Sequence, residues 1–159
     1  MKGQKLPLEH HVVRCVPWSK LRKDEDDHVL GVLGEAYKLR PSEEILSTTW
    51  LEYFASPRAA QIKAAVRAIR ASKLKPGGKS GFAIGKVAAI IAACADRDHK
   101  IRIVHEPEDD NKAHTSVRQF PREDMELLEL LAAIVWSELG LNSDVPAGAN
   151  PAPDYPAEV

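Results

Sequence analysis

The order of hydrophobic patterns predicts an α+β domain: a small mixed or mostly antiparallel sheet packed with about three helices. Three observations carry this. Residues 10–16 and both ends of the segment Ile101–Phe120 are rich in β-branched residues, and Ile101-Arg102-Ile103 alternates with the period of a half-buried strand. Residues 56–72, 86–95 and 122–139 carry helical spacing or helical composition instead. The elements run strands, helix, strand, helix, strands, helix, without the regular βαβα alternation of a doubly wound fold.

In the first strand, HHVVRCV, one face carries His10, Val12, Arg14 and Val16 and the other His11, Val13 and Cys15. Pro17 closes it. Asp24-Glu25-Asp26-Asp27-His28 reads as a solvated turn, because it lacks the alternating oxygen ligands and central glycine of a calcium loop. Glu35–Arg40 reads as a second strand, Pro41–Glu44 as a turn and Ile45–Thr49 as a third extended piece. A short helix over Trp50–Phe54, capped by Ser47, Thr48 or Thr49, follows.

Ser56-Pro57 is a helix start, with the helix reaching about Ser72. Ile62, Val66 and Ile69 lie on one side of it and Lys63, Arg67 and Arg70 on an adjoining face. Lys75–Gly81 is a flexible loop, Phe82–Ile84 a short strand, and Lys86–Ala95 a helix that is apolar nearly all round. Ile101–Phe120 is predicted to form a hairpin. Pro121 opens the last helix, Arg122–Leu139, with acids in its first turns and Gly140 as its stop. Residues 1–141 make a single domain, and 142–159, dominated by Pro, Ala, Gly and Asp, a disordered tail.

A chain of 159 residues, 44% hydrophobic and 28% charged, is expected to be one soluble domain with its own core. The longest nearly uncharged run, Val87–Ala95, is too short to span a bilayer, and Met1–Pro7 has no apolar signal region. Together with Cys15 and Cys94, both in apolar contexts, this predicts a cytoplasmic protein with reduced thiols and no membrane association. The net charge of −1 hides an asymmetry: residues 53–95 hold eight Lys/Arg and no acid, whereas residues 96–159 hold fourteen acids against six bases. Either the basic segment faces an anionic partner, or the two halves pack together.

The hairpin's loop is crowded with titratable groups, and His105, Glu106 and His114 are the candidate acid–base residues. Gly78-Lys79-Ser80 is not a nucleotide-hydrolase phosphate loop, since Lys73 stands where that motif requires glycine. The loop's amides, with Lys75 and Lys79, could still hold an anion. The basic helix could lie on nucleic-acid phosphates, although no aromatics are interleaved for base stacking. Six histidines raise the question of zinc, but no HExxH or CxxC spacing occurs, and no metal or cofactor is assigned.

Arg14, Ser47-Thr48-Thr49 and Glu106 resemble the Arg, Ser-Thr-Ser, Glu arrangement of one class of ADP-ribosyltransferases. The resemblance implies that Arg14 and Ser47 anchor NAD while Glu106 supports glycosidic-bond cleavage. HVVRCVPWSKLRKDEDDHVLG with LSTTWLEYF, and RIVHEPEDDNKAHTSVR, resemble a group of small bacterial proteins with no known activity, which implies a bacterial, cytosolic origin and no particular site.

The leading expectation is a binding or accessory module whose charged face, built from the Arg67/Arg70 helix or the His105–His114 loop, engages a partner protein or an anionic ligand; Arg14, Ser47, Arg67, Arg70 and Lys79 are the candidate binding residues. The alternative is a small transferase or hydrolase acting on a nucleotide or phosphate-bearing substrate, with Arg14, His105 and His114 in one recess. A third is a non-specific nucleic-acid binder, which requires Arg58, Lys63, Arg67, Arg70 and Lys79 to form one exposed strip.

Overall fold

The computed structural model describes residues 3–145. The elements follow in the order β1 (His11–Val16), β2 (Leu21–Lys23), β3 (Val29–Val32), β4 (Ile45–Trp50), α1 (Arg58–Ala71), β5 (Gly81–Lys86), α2 (Val87–Ala95), β6 (Arg102–His105), β7 (His114–Arg118), α3 (Met125–Leu130) and β8 (Glu138–Leu141). Six strands form one antiparallel sheet in the order β6-β7-β4-β1-β5-β8, and β2 and β3 pair as a separate ribbon. The architecture is α+β, as the order of patterns predicts.

Strand alternation divides the interior in two. On one face of the sheet Val12 and Val16 meet Leu46, Ala83, Ile103 and Val117, and α2, α3 and the following turn cover them with Ile90, Leu127, Leu128, Leu131 and Trp136. On the other face Val13, Phe82 and Ile84 pack under α1, against Ala65, Val66 and Ile69, with Leu51 and Phe54. The expected Ile62, Val66 and Ile69 stripe of α1 is therefore its sheet-facing side.

The sequence reading and the fold part in several places. Glu35–Arg40 is not a strand: Gly34–Tyr37 is a 3₁₀ turn. Ala36 and Tyr37 are both buried in sequence, and the Tyr37 ring stacks on Trp136 with centroids 4.6 Å apart, so tertiary contacts rather than a ladder hold this segment. The β2–β3 ribbon was not expected. It is turned by Asp24, whose carboxylate accepts from the amides of Asp26 and His28 at 2.9 Å each. Neither Ser56 nor a Ser47–Thr49 hydroxyl caps a helix; Pro57 and Trp50 occupy those positions without a side-chain cap.

The last helix is shorter than its apolar stripe predicts. α3 ends at Leu130 and continues as a π-helical turn, Leu131–Val135. Residues Glu138–Leu141 then pair with β5, placing Gly140 opposite Phe82 as a strand residue instead of a helix stop. Of the expected tail, Asn142–Asp144 form a 3₁₀ turn, and residues 146–159 lie outside the described part.

The basic and acidic halves do meet. Arg58 pairs with Glu138 at 2.6 Å and Lys73 with Glu108 at 3.8 Å. No helix among the described residues is long and apolar enough to cross a membrane.

Asp124 begins α3. Its carboxylate accepts from Leu127 N at 3.2 Å, from Arg97 Nε and Nη2 at 2.8 Å each, and lies 3.1 Å from His99 Nε2. The Arg97 hydrogen bonds, opposed by desolvation and supported by the cap, pull its pKa from 3.8 to about 2. A depressed carboxyl pKa stabilises the fold above the unfolded value and is lost as pH falls through the folded one. The melting-temperature gap between wild type and Asp124→Asn should therefore be constant above about pH 5 and shrink from about pH 4 to about pH 2. A gap unchanged over that window would contradict the assignment.

Candidate functional site

The hairpin was expected to bring Arg14, His105 and His114 into one recess. It does not, and the reason is the pleat. The β4–β7 register sets Thr49 opposite His114 and Ser47 opposite Ser116, while β6 and β7 set His105 opposite Thr115. Neighbours directly opposite share a face, so His105 lies on the α2/α3 side with Thr115, and His114 on the α1 side with Ser47. Arg14 shares a face with His105, but strands β4 and β7 intervene, which is about 14 Å at about 4.8 Å per strand.

His105 serves as a tie in the core. It is 5% exposed, its Nε2 donates to Lys112 O at 2.8 Å, and its ring sits 5.2 Å from Trp50 and 5.3 Å from Tyr53. Trp50 in turn donates from Nε1 to His10 Nδ1 at 3.0 Å. Glu106 is committed too. Arg118 binds its carboxylate and holds its pKa below the usual range, against partial desolvation and with help from Ser116. The acid–base set of His105, Glu106 and His114 is thus not one site.

What the fold does build lies at the end of the sheet where β1 leaves and β4 and β5 enter. A cleft of about 810 Å³ opens there. Its lining includes Arg14, Cys15, Lys20, Glu35, Lys38, Arg40, Glu43, Ser47, Leu74, Lys75, Gly77 and Ser80. Lys20 pairs with Glu35 at 2.9 Å and Arg40 with Glu43 at 3.2 Å. Arg14, Lys38 and Lys75 have no carboxylate partner among the described residues, so the cleft is left positive.

Arg14 is the deepest of these cations. Its Nε and Nη2 donate to Ala36 O at 3.1 and 3.0 Å, and Nη1 donates to Ser47 O at 2.9 Å. A guanidinium carries five N–H groups. Three are used, and each terminal nitrogen keeps one N–H without a protein acceptor among the described residues. Desolvation pulls its pKa below the usual arginine value, with Tyr37 and Glu43 opposing, yet arginine stays charged. Beside it the fully buried Tyr37 hydroxyl has no hydrogen-bond partner among the described residues, and burial makes that phenol harder to ionise.

A second cluster sits just beyond, on the α1 side. Ser47 Oγ lies 2.7 Å from His114 Nε2, and His114 Nδ1 lies 2.8 Å from Glu106 O. Glu108 Oε1 is 3.7 Å from the same Nε2. Ser47 lines both the cationic cleft and a small cavity under α1, and His114 lines that cavity and the open recess of Glu106, Ser116 and Arg118.

Of the five expected binding residues, Arg14 and Ser47 come together and the others do not. Arg70 is spent on Asn142 and Val145, with its shortest bond, 2.6 Å, to Val145 O. Arg67 is half-buried with Nε enclosed, and Lys79 lies over the Trp18 ring at 5.1 Å. With Arg58 paired to Glu138, the five cations needed for nucleic acid form no free strip. The ADP-ribosyltransferase-like arrangement also separates, since Glu106 lines a different recess from Arg14.

Lys20, Lys38 and Arg40, which line the cationic cleft, are not singled out by the sequence. The only signal in the sequence was their clustering around two prolines, Pro17 and Pro41, which is common in ordinary loops. Lys75, in the glycine-rich loop that the sequence offers for an anion, lines the cleft too, whereas Lys79 does not.

Burial pushes the Cys15 thiol up to about 11 and the Cys94 thiol up to about 12. Neither is an activated nucleophile. Iodoacetamide at pH 7.5 should leave the folded protein unmodified over the time that labels both thiols in denaturant; rapid native modification of Cys15, read by mass spectrometry, would refute this. Neither a family model, nor a curated protein, nor a solved structure matches this chain.

Proposed function

We propose that this chain is a binding module for a small phosphate-bearing molecule, held in the cleft at the end of the sheet. The observation that carries the reading is Arg14: a desolvated cation with two unused N–H groups and no direct carboxylate pair among the described residues, Glu43 acting on it only through space. Such a group is costly to bury unpaired, and a phosphate or carboxylate oxygen pair satisfies it. Lys38 and Lys75 add charge at the rim, and Leu39, Leu74, Pro41 and Pro76 supply apolar walls for the rest of the ligand. Two protonated thiols in such a protein suit a reducing compartment such as the cytoplasm.

Calorimetric titration with pyrophosphate and with ATP tests this. Affinity is expected to fall as salt rises from 50 to 300 mM, in the manner of screened charge attraction. Absence of heat at millimolar ligand, or binding indifferent to salt, would defeat the reading.

A further inference from the structure

We infer that Ser47 and His114 form a nucleophile–base pair that hydrolyses a carboxylic ester whose remaining part carries the anion bound in the cleft. The substrate class rests on the anion-binding reading above; the nucleophile itself does not.

The hydrogen-bond arrangement assigns the proton positions. His114 Nδ1 faces only the Glu106 carbonyl at 2.8 Å, which can only accept, so Nδ1 carries the imidazole proton. In the neutral ring Nε2 then bears the lone pair, and the Ser47 hydroxyl at 2.7 Å must donate to it. This is the orientation a general base needs toward a serine nucleophile, with a backbone carbonyl orienting the base. Sheet register keeps it rigid, because Ser47 and His114 project from adjacent strands on one face. The Glu108 carboxylate, 3.7 Å from Nε2, stands where it stabilises the imidazolium that forms.

Ser47 also borders open space. It lines the cleft together with Lys75 and Gly77, whose amides donate to nothing among the described residues. Cys15 also lines the small cavity beside Ser47, but its thiol stays protonated and does not compete.

Ser47 Oγ bonds to the ester carbonyl carbon while its proton passes to His114 Nε2. The tetrahedral intermediate collapses, the C–O bond to the alcohol breaks, and Nε2 gives the proton to the leaving alkoxide. Water then attacks the acyl-serine, with Nε2 taking its proton and returning it to Ser47 Oγ. The sum is ester plus water to acid plus alcohol.

The test is a fluorophosphonate probe on the folded full-length protein, read by intact mass and peptide mapping, alongside hydrolysis of p-nitrophenyl acetate. One phosphonyl adduct on Ser47, absent in Ser47→Ala and slowed about 10²- to 10⁴-fold in His114→Gln, supports the pair. Because His114 is buried, Ser47→Cys is the second variant: a thiol there should react with iodoacetamide at neutral pH at least tenfold faster than Cys15, and equal rates would count against activation. No adduct on Ser47, or labelling as slow as at an exposed serine such as Ser42, overturns the inference. Pyrophosphate binding by the wild-type protein separates the two readings. Normal binding without wild-type labelling removes the nucleophile alone, and labelling without binding removes the anionic substrate class alone.

Discussion

Replacing Arg14 by methionine is expected to abolish pyrophosphate binding and to lower the unfolding free energy by about 2–4 kcal/mol, since hydrogen bonds from a charged donor are worth about 1.5–3 kcal/mol each. The guanidinium donates to Ala36 O twice and to Ser47 O once, linking the Gly34–Tyr37 turn to β4. Methionine fills much of the volume but leaves both carbonyls without their donor. Typical domains have about 5–15 kcal/mol to lose, so the variant should remain folded at 25 °C. Arg14→Lys keeps the charge without the planar fork and should retain only weak binding. The rim double variant Lys38→Gln/Lys75→Gln should weaken binding, flatten its salt dependence and leave denaturant midpoints unchanged. Arg14→Met with wild-type affinity would show that the ligand sits elsewhere.

Replacing Trp136 by alanine is expected to cost about 3–5 kcal/mol, the range for deleting a buried large aromatic. Trp136 is fully buried, stacks on Tyr37 at 4.6 Å and donates from Nε1 to Val12 O at 3.3 Å. It sits directly on Gly85, where an added Cβ would approach its ring to 2.8 Å. Gly85→Ala should therefore destabilise by about 1–3 kcal/mol through overpacking, although alanine is otherwise tolerated in a strand. Urea unfolding measures both. The Tyr37 stack also anchors the turn that Arg14 binds, so Trp136→Ala should weaken pyrophosphate binding as well as the fold. A Trp136→Ala loss below about 1 kcal/mol would mean that the core does not pack as described.

These two residues also show where reading the chain stops. Trp136 lies within the helical stripe that the sequence predicts through Leu139, and nothing local reveals that the helix has ended. The end is set by β5, whose free edge recruits Glu138–Leu141, and strand pairing of that kind depends on a partner more than fifty residues away. The β2–β3 ribbon was missed for a related reason: strands of three and four residues are too short for a period to register.

The amino-acid sequence by itself determined the α+β class, the alternation that splits β1 into two faces, the amphipathic α1 and the hairpin around the acidic loop. Each depends on contacts a few residues apart or on composition. Only the tertiary structure decided which polar side chains meet. His105 and His114 share a hairpin but face opposite ways, because their separation of nine residues meets a register that pairs His105 with Thr115. Ser47 and His114, sixty-seven residues apart, touch because β4 and β7 are adjacent. Adjacency of strands is a property of the whole sheet, carried by no local pattern, and so the candidate site emerged only from the fold.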